Sequence, residues 1–191
     1  GDQLMSICGN YMKQKGTLKK NTIVATVMSN LGMFLMGERE GIHIEKTKVG
    51  DRYVLENMLE NGYNIGGEQS GHIIFLDENT TGDGLLSALH LLQVMTETKK
   101  KLSELASIME VLPQALVNAK VPNHKKEHFE EYAEIAEAIA EVEAKFAGEG
   151  RVLIRPSGTE PLVRVMIEGK DQQLIESEAQ KLAELISSIM L

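Results

Sequence analysis

Apolar residues recur at helical spacing from Asp2 to Lys15, where Leu4, Met5, Ile7, Cys8, Tyr11 and Met12 follow an aspartate able to cap the first turn. The period then changes. Thr22 to Met28 reads as a buried strand, NLGMFLMGERE (residues 30–40) as a short helix, and GIHIEKTKV (41–49) as an alternating strand. GDRYVLENMLENG (50–62) is helical and stops at Gly62, and HIIFL (72–76) is a further strand. Residues 81–101 read as one long helix, with Asp83 near its start and lysines at its end, as the helix macrodipole favours. Strands alternating with helices over about the first 110 residues predict an α/β layer structure.

The second half has another rhythm. MEVLPQALVNAKVPN (109–123) is a connection running into a strand, and residues 128–150 form an Ala- and Glu-rich helix that ends at Gly148. Two strands follow, Val152 to Ile154 and Val163 to Ile167, and an amphipathic helix over 171–191 closes the chain. A boundary near Val111 to Val117 therefore separates a mixed-sheet α/β domain, 1–112, from a smaller α+β domain, 113–191, with its sheet on one side and helices on the other. The glutamates from Glu127 to Glu143 share their helix with an apolar stripe of Phe129, Ile135, Ile139 and Val142, so they read as a solvated face and no metal site is assigned.

Composition narrows the function classes. The 191 residues suffice for one large or two small domains, and 42% hydrophobic with 25% charged content is that of a folded chain with a core. A net charge of −8 argues against general affinity for nucleic acid or an anionic membrane, so any bound anion is held locally. No apolar run approaches the roughly 18 residues of a membrane span, and the N-terminus has no signal-peptide pattern. Cys8 is the single cysteine and reads as a buried structural thiol, which fits a reducing cytosol and predicts a cytoplasmic location. The ten methionines read as core filling, and a start at GDQLM without methionine suggests a processed or truncated chain.

Two stretches carry candidate chemistry. In RVLIRPSGTEPLVRVMIE (151–168) a tight turn joins two strands. Ser157, Gly158 and Thr159 can turn backbone N–H groups towards one point, Gly158 permits close approach and an unusual dihedral, and Arg155 adds a planar charged fork. Pro156 and Pro161 bracket the turn, and Arg164 supplies a second cation, an inventory that suits a phosphate; an ordinary Ser-Gly hairpin is the alternative. In NIGGEQSGHIIF (64–75), Gly66, Gly67 and Gly71 make a flexible loop holding Glu68, Gln69, Ser70 and His72, donors and acceptors of the kind that read sugar hydroxyls or amines. A polar loop that binds nothing is the alternative there, and this glycine spacing matches neither a Walker loop nor a dinucleotide fingerprint.

GGEQSGH and RPSGTEP resemble the sugar-binding and phosphate-binding loops of the α-D-phosphohexomutases, and TVMSNLG and KVGDRYV add two further motifs in the family's order. The resemblance covers essentially the whole chain. It implies the third and fourth of four domains around a deep cleft, with Glu68 and Ser70 hydrogen-bonding sugar hydroxyls and Gln69 and His72 shaping the site. Arg155, Ser157, Gly158 and Thr159 would hold the phosphate not being transferred, with Arg164 beside them. Asp51 and Arg52 would border the cleft or, equally, make a capped helix start with an internal ion pair.

The form GEQSGH points to the branch that interconverts glucosamine 6-phosphate and glucosamine 1-phosphate through a bisphosphate, for amino-sugar and cell-wall precursor synthesis. Mannose- or glucose-phosphate mutases, a stand-alone phosphosugar-binding module and a structural interaction domain are the alternatives. The family's phosphorylated serine loop, of Thr-Ala-Ser-His-Asn type, and its magnesium loop, of Asp-Gly-Asp-x-Asp type, do not occur in these residues. The resemblance places both in an N-terminal half of the same enzyme, so no metal or cofactor is expected on this chain and it should be inactive alone. Its expected partners are a phosphosugar and that N-terminal half, with a homodimer for the whole enzyme and neither nucleic acid nor membrane.

Overall fold

A computed structural model describes residues 1–146 and 148–191, which separate into two units, Gly1–Val111 and Leu112–Leu191. In the first, strands β1 (Thr22–Thr26), β2 (His43–Thr47), β3 (Ile65–Gly67) and β4 (Ile73–Phe75) form one sheet in the order β2-β1-β3-β4. β1 runs parallel to β2 and β3, and β4 is antiparallel to β3. Helices α1 (Asp2–Gln14), α2 (Leu31–Glu40), α3 (Asp51–Asn61), α4 (Gly84–Thr98) and α5 (Leu102–Ala106) complete the unit.

The alternation of side chains along a strand divides the core into two faces. Ile23, Ala25, Ile65, Ile73 and Phe75 pack with Met5 of α1, Met33 and Met36 of α2 and Val94 of α4, whereas Val24 and Ile74 pack with Val54 and Met58 of α3. Because β1 is covered on both faces, all five of its residues are buried and it reads as an uninterrupted run rather than an alternation. Cys8 is buried in the first cluster, and burial pushes its thiol up to about 12, which makes it an inert core group.

Several boundaries differ from the sequence reading. The first strand ends at Thr26, because Val27 to Ser29 turn into α2, whose first turn is capped by the Asn30 side chain accepting from Gly32 N at 3.0 Å. Asp2 does not cap α1: Gly1 holds that position, and the buried Asp2 carboxylate accepts from Asn30 N at 2.7 Å. The long helix expected through the lysines stops at Thr98, where Lys99 takes the left-handed conformation (φ 56), and α5 follows separately. β3 lies inside what reads in sequence as a flexible glycine loop. Gly66 and Gly67 are buried there, and a Cβ on Gly66 would lie 2.8 Å from Met58 Sδ and 2.9 Å from Val24 Cβ, so these glycines serve close packing rather than flexibility.

The second unit is α+β. Strands β5 (Gln114–Lys120), β6 (Gly150–Pro156) and β7 (Leu162–Gly169) form an antiparallel sheet in the order β5-β7-β6. Val163, Val165 and Ile167 of β7 form a core with Ile135 and Val142 of α6 (Ala133–Lys145) and Ile175, Ala179, Leu182 and Ile186 of α7 (Gln172–Met190). Helices thus cover the face carrying the odd-numbered β7 residues; the even-numbered ones, Arg164, Met166 and Glu168, project to the other. The helix expected from residue 128 begins as a 3-10 turn over Lys126–Glu131, and the extended Tyr132 (φ −87, ψ 112) separates it from α6. No described helix is long and apolar enough to cross a membrane.

Candidate functional site

The polar residues between β3 and β4 form a tight hairpin turn. Gly71 N donates to Glu68 O at 3.0 Å and Glu68 N donates to His72 O at 2.9 Å, closing a turn whose last corner is Gly71 at φ 107. Gln69 and Ser70 stand exposed at its tip. Glu68 turns inward: its Oε1 accepts from Gly50 N at 3.0 Å, fastening the hairpin to the start of α3. The His72 Nδ1 lies 3.9 Å from Asp51 Oδ2 and 4.0 Å from Glu68 Oε2, so these three candidates share one corner of the unit. Arg52 does not join them. It ion-pairs with Glu56 one turn along α3 at 2.7 Å, and that bond raises its pKa. Arg52–Glu56 is thus an ion pair internal to α3, at the i,i+4 spacing at which helical side chains meet, while the N-cap position is held by Gly50 with no side-chain cap.

The second candidate turn joins β6 to β7. Arg155 on β6 is paired in register with Arg164 on β7, and Arg164 in turn with Asn118 on β5, so the three form a row across the helix-free face. Arg164 donates to Glu160 Oε2 at 3.0 Å, and its Nε is buried without a partner. Arg155 forms no ion pair among the described residues, and its pKa is lowered by burial and then by the charge of Arg164. Two half-buried guanidinium groups thus stand side by side in a chain of net charge −8.

Ser157 is engaged within the hairpin itself. Ser157 is buried; its N–H donates to Leu162 O at 2.9 Å and its Oγ accepts from Glu160 N at 3.2 Å. Both groups therefore shape the hairpin. Gly158 and Thr159 remain exposed, and Gly158 has ordinary negative-side backbone rather than the unusual dihedral expected. A Cβ at Gly158 would meet no atom within 4 Å, so the space beside this residue is open.

One participant has no signal in the local sequence. Lys126, in the 3-10 turn before α6, is buried, and its ammonium donates to Ser157 O and, at 3.3 Å, to Glu160 O. A lysine inside a Lys- and Glu-rich segment looks solvated, and only the tertiary fold carries it under a turn 31 residues away. No group of three or more His, Cys, Asp or Glu side chains placed to hold a metal ion occurs among the described residues, so these residues do not fit a magnesium site. A cavity of about 520 Å³ among α1, α4 and β4, lined by Cys8, Phe75, His90 and Glu97, contains none of the candidate residues.

The family model for the phosphoglucomutase/phosphomannomutase alpha/beta/alpha domain III matches residues 1–112, and that for the phosphoglucomutase/phosphomannomutase C-terminal domain matches residues 116–185. The chain belongs to the phosphoglucomutase/phosphomannomutase family. It is 63% identical to the phosphoglucosamine mutase of Ruminiclostridium cellulolyticum and 64% to that of Acetivibrio thermocellus, in each case over 97% of this chain and 41% of the relative. The chain spans about two fifths of the length of these curated relatives.

Solved structures share the fold. The N-acetylphosphoglucosamine mutase of Aspergillus fumigatus superposes with a TM-score of 0.80 at 17% identity, over 100% of this chain and 43% of that one. An N-acetylglucosamine-phosphate mutase in its substrate complex gives 0.72 at 23% identity, over 97% and 43%. A further structure of the Aspergillus enzyme is a complex with GlcNAc-6P and magnesium.

Proposed function

We propose that this chain is the phosphosugar-recognising C-terminal part of a phosphoglucosamine mutase, whose whole form interconverts glucosamine 6-phosphate and glucosamine 1-phosphate through a bisphosphate. The observation that carries this reading is the Arg155–Arg164 pair beside an open glycine turn, a place where two cations stand together and an anion relieves their repulsion. Arg155 supplies the planar fork, Gly158 and Thr159 supply exposed N–H groups, Ser157 keeps the turn in shape, and Arg164 completes the field. In the other unit Gln69, Ser70 and the inward carboxylate of Glu68 read sugar hydroxyls or the amine, with His72 and Asp51 alongside and Arg52 tied back to Glu56. The sequence identity to phosphoglucosamine mutases supports the glucosamine assignment over mannose or glucose phosphates.

In this reading these residues bind and orient the phosphosugar. In the whole enzyme a phosphoserine and a magnesium ion would be held by residues other than these, and the ion would supply charge neutralisation. We place that enzyme in the cytoplasm, as a homodimer. A titration of this chain with glucosamine 6-phosphate, followed through the amides of residues 67–72 and 155–160, tests the reading. Joint movement of both turns, larger than with mannose 6-phosphate, is expected. Movement of the Arg155 turn alone, reproduced by inorganic phosphate, would reduce the chain to an anion site, and movement of neither would leave both turns structural.

A further inference from the structure

The structure assigns Lys126 as a positioning residue for the anion turn: a buried ammonium beneath it that aims the Gly158 amide at the ligand. The inference rests on the phosphate reading of that turn. The Ser157 carbonyl and the Gly158 N–H belong to one planar trans peptide and point in opposite directions. Because Lys126 Nζ holds the Ser157 carbonyl on its own, buried side, the Gly158 N–H is turned to the opposite side; Gly158 itself is exposed, and a Cβ on it would meet no atom within 4 Å. The second carbonyl it binds, that of Glu160 at 3.3 Å, precedes Pro161, so that peptide has no N–H to present, and the same carbonyl also accepts from Leu162 N at 2.9 Å.

The turn is thereby closed from both ends. Ser157 N to Leu162 O and Glu160 N to Ser157 Oγ fix its corners, and Lys126 fixes the peptide between them. An ammonium there also adds fixed positive potential behind the Gly158 and Thr159 amides, on the side away from the ligand, where it stabilises an anion without competing for contact. Arg155 and Arg164 act from the sheet and Lys126 from underneath, so removing it lowers affinity without removing a ligand contact.

The test compares Lys126→Met, Lys126→Gln and Lys126→Arg with the native chain, titrating each with inorganic phosphate and with glucosamine 6-phosphate while following the Gly158 and Thr159 amides, and measuring urea midpoints in parallel. K126M is expected to bind at least about tenfold more weakly, with a displaced Gly158 amide resonance even before ligand is added, and K126R to recover part of the affinity. If K126M fails to fold, K126Q makes the same comparison with a neutral donor. A lowered urea midpoint with unchanged affinity and an unmoved Gly158 resonance overturns the positioning role. If Arg155→Ala abolishes binding while all three Lys126 variants bind as the native chain does, only the Lys126 assignment fails. If the native Gly158 and Thr159 amides ignore both ligands, the phosphate reading fails and the Lys126 assignment with it.

Discussion

Arg155 and Arg164 occupy directly opposed positions in the β6–β7 ladder, and no carboxylate ion-pairs with Arg155 among the described residues. Like charges opposed across two strands cost stability, by about 0.2–1 kcal/mol. Neutralising Arg155 while keeping its packed stem, as in Arg155→Met, should therefore raise stability slightly in urea and abolish phosphosugar binding by calorimetry. A fall of more than about 1 kcal/mol would mean that the guanidinium has a structural partner and is not held for a ligand.

Glu68 has two tasks that substitution can separate. Its Oε1 accepts from Gly50 N at the start of α3, a bond the amide oxygen of Gln can reproduce. Glu68→Gln should stay within about 0.5 kcal/mol of the native chain in urea, whereas Glu68→Ala should cost about 1–2 kcal/mol through the lost charge-assisted bond. Loss of the preference for glucosamine 6-phosphate over glucose 6-phosphate in Glu68→Gln would assign the charge to the ammonium of the sugar; retention would leave the hydroxyls as its target.

Two glycines of the hairpin should fail for different reasons. Gly71→Ala places an L side chain at φ 107 in open space, so its cost is backbone strain alone, about 1–3 kcal/mol. Gly67→Ala would set a Cβ 2.3 Å from the His72 carbonyl oxygen, and the larger loss is expected there. Urea midpoints rank the pair, and the reverse order would mean that the hairpin opens easily at Gly67.

Glu178 links α6 to α7, with Lys145 at 2.6 Å and Lys181 at 2.8 Å, and its bond to Lys145, then that to Lys181, holds its carboxyl below the ordinary 4.5. A depressed folded-state pKa contributes stability that is present above the unfolded value and lost as pH falls through the folded one. Glu178→Gln should cost about 1 kcal/mol at neutral pH, since the lysine ends are half exposed and screened. The difference from the native chain should shrink as pH drops below 4.5. A constant difference in urea midpoint from pH 7 to pH 3 would assign the cost to packing instead.

Much of this fold was legible because the informative signals are local. Val163, Val165 and Ile167 alternate at period 2 and enter the core together, and Asp83 accepts from Leu85 N and Leu86 N at the start of α4, where the sequence leads one to expect it. The reading failed where the cause lay elsewhere in the chain. β3 is three residues long and contains two glycines, so its strand character comes from pairing with β1 and β4 rather than from its own composition. Ser157 looked like a ligand donor because its partners, Leu162 O and Glu160 N, are fixed only once the hairpin closes.

By itself, the sequence determined the two kinds of layer, the position of both polar turns and the residue types they carry, since periodicity, caps and turn chemistry act over a few neighbours. Tertiary structure alone decided which of those groups remain available. The register of β6 on β7 set Arg155 against Arg164, and the packing of the segment before α6 slid Lys126 beneath Ser157. The closure of β3 onto β4 brought His72 to Asp51 and Glu68. Register and long-range hydrogen bonds depend on how separate elements meet, and no short window of sequence contains both partners.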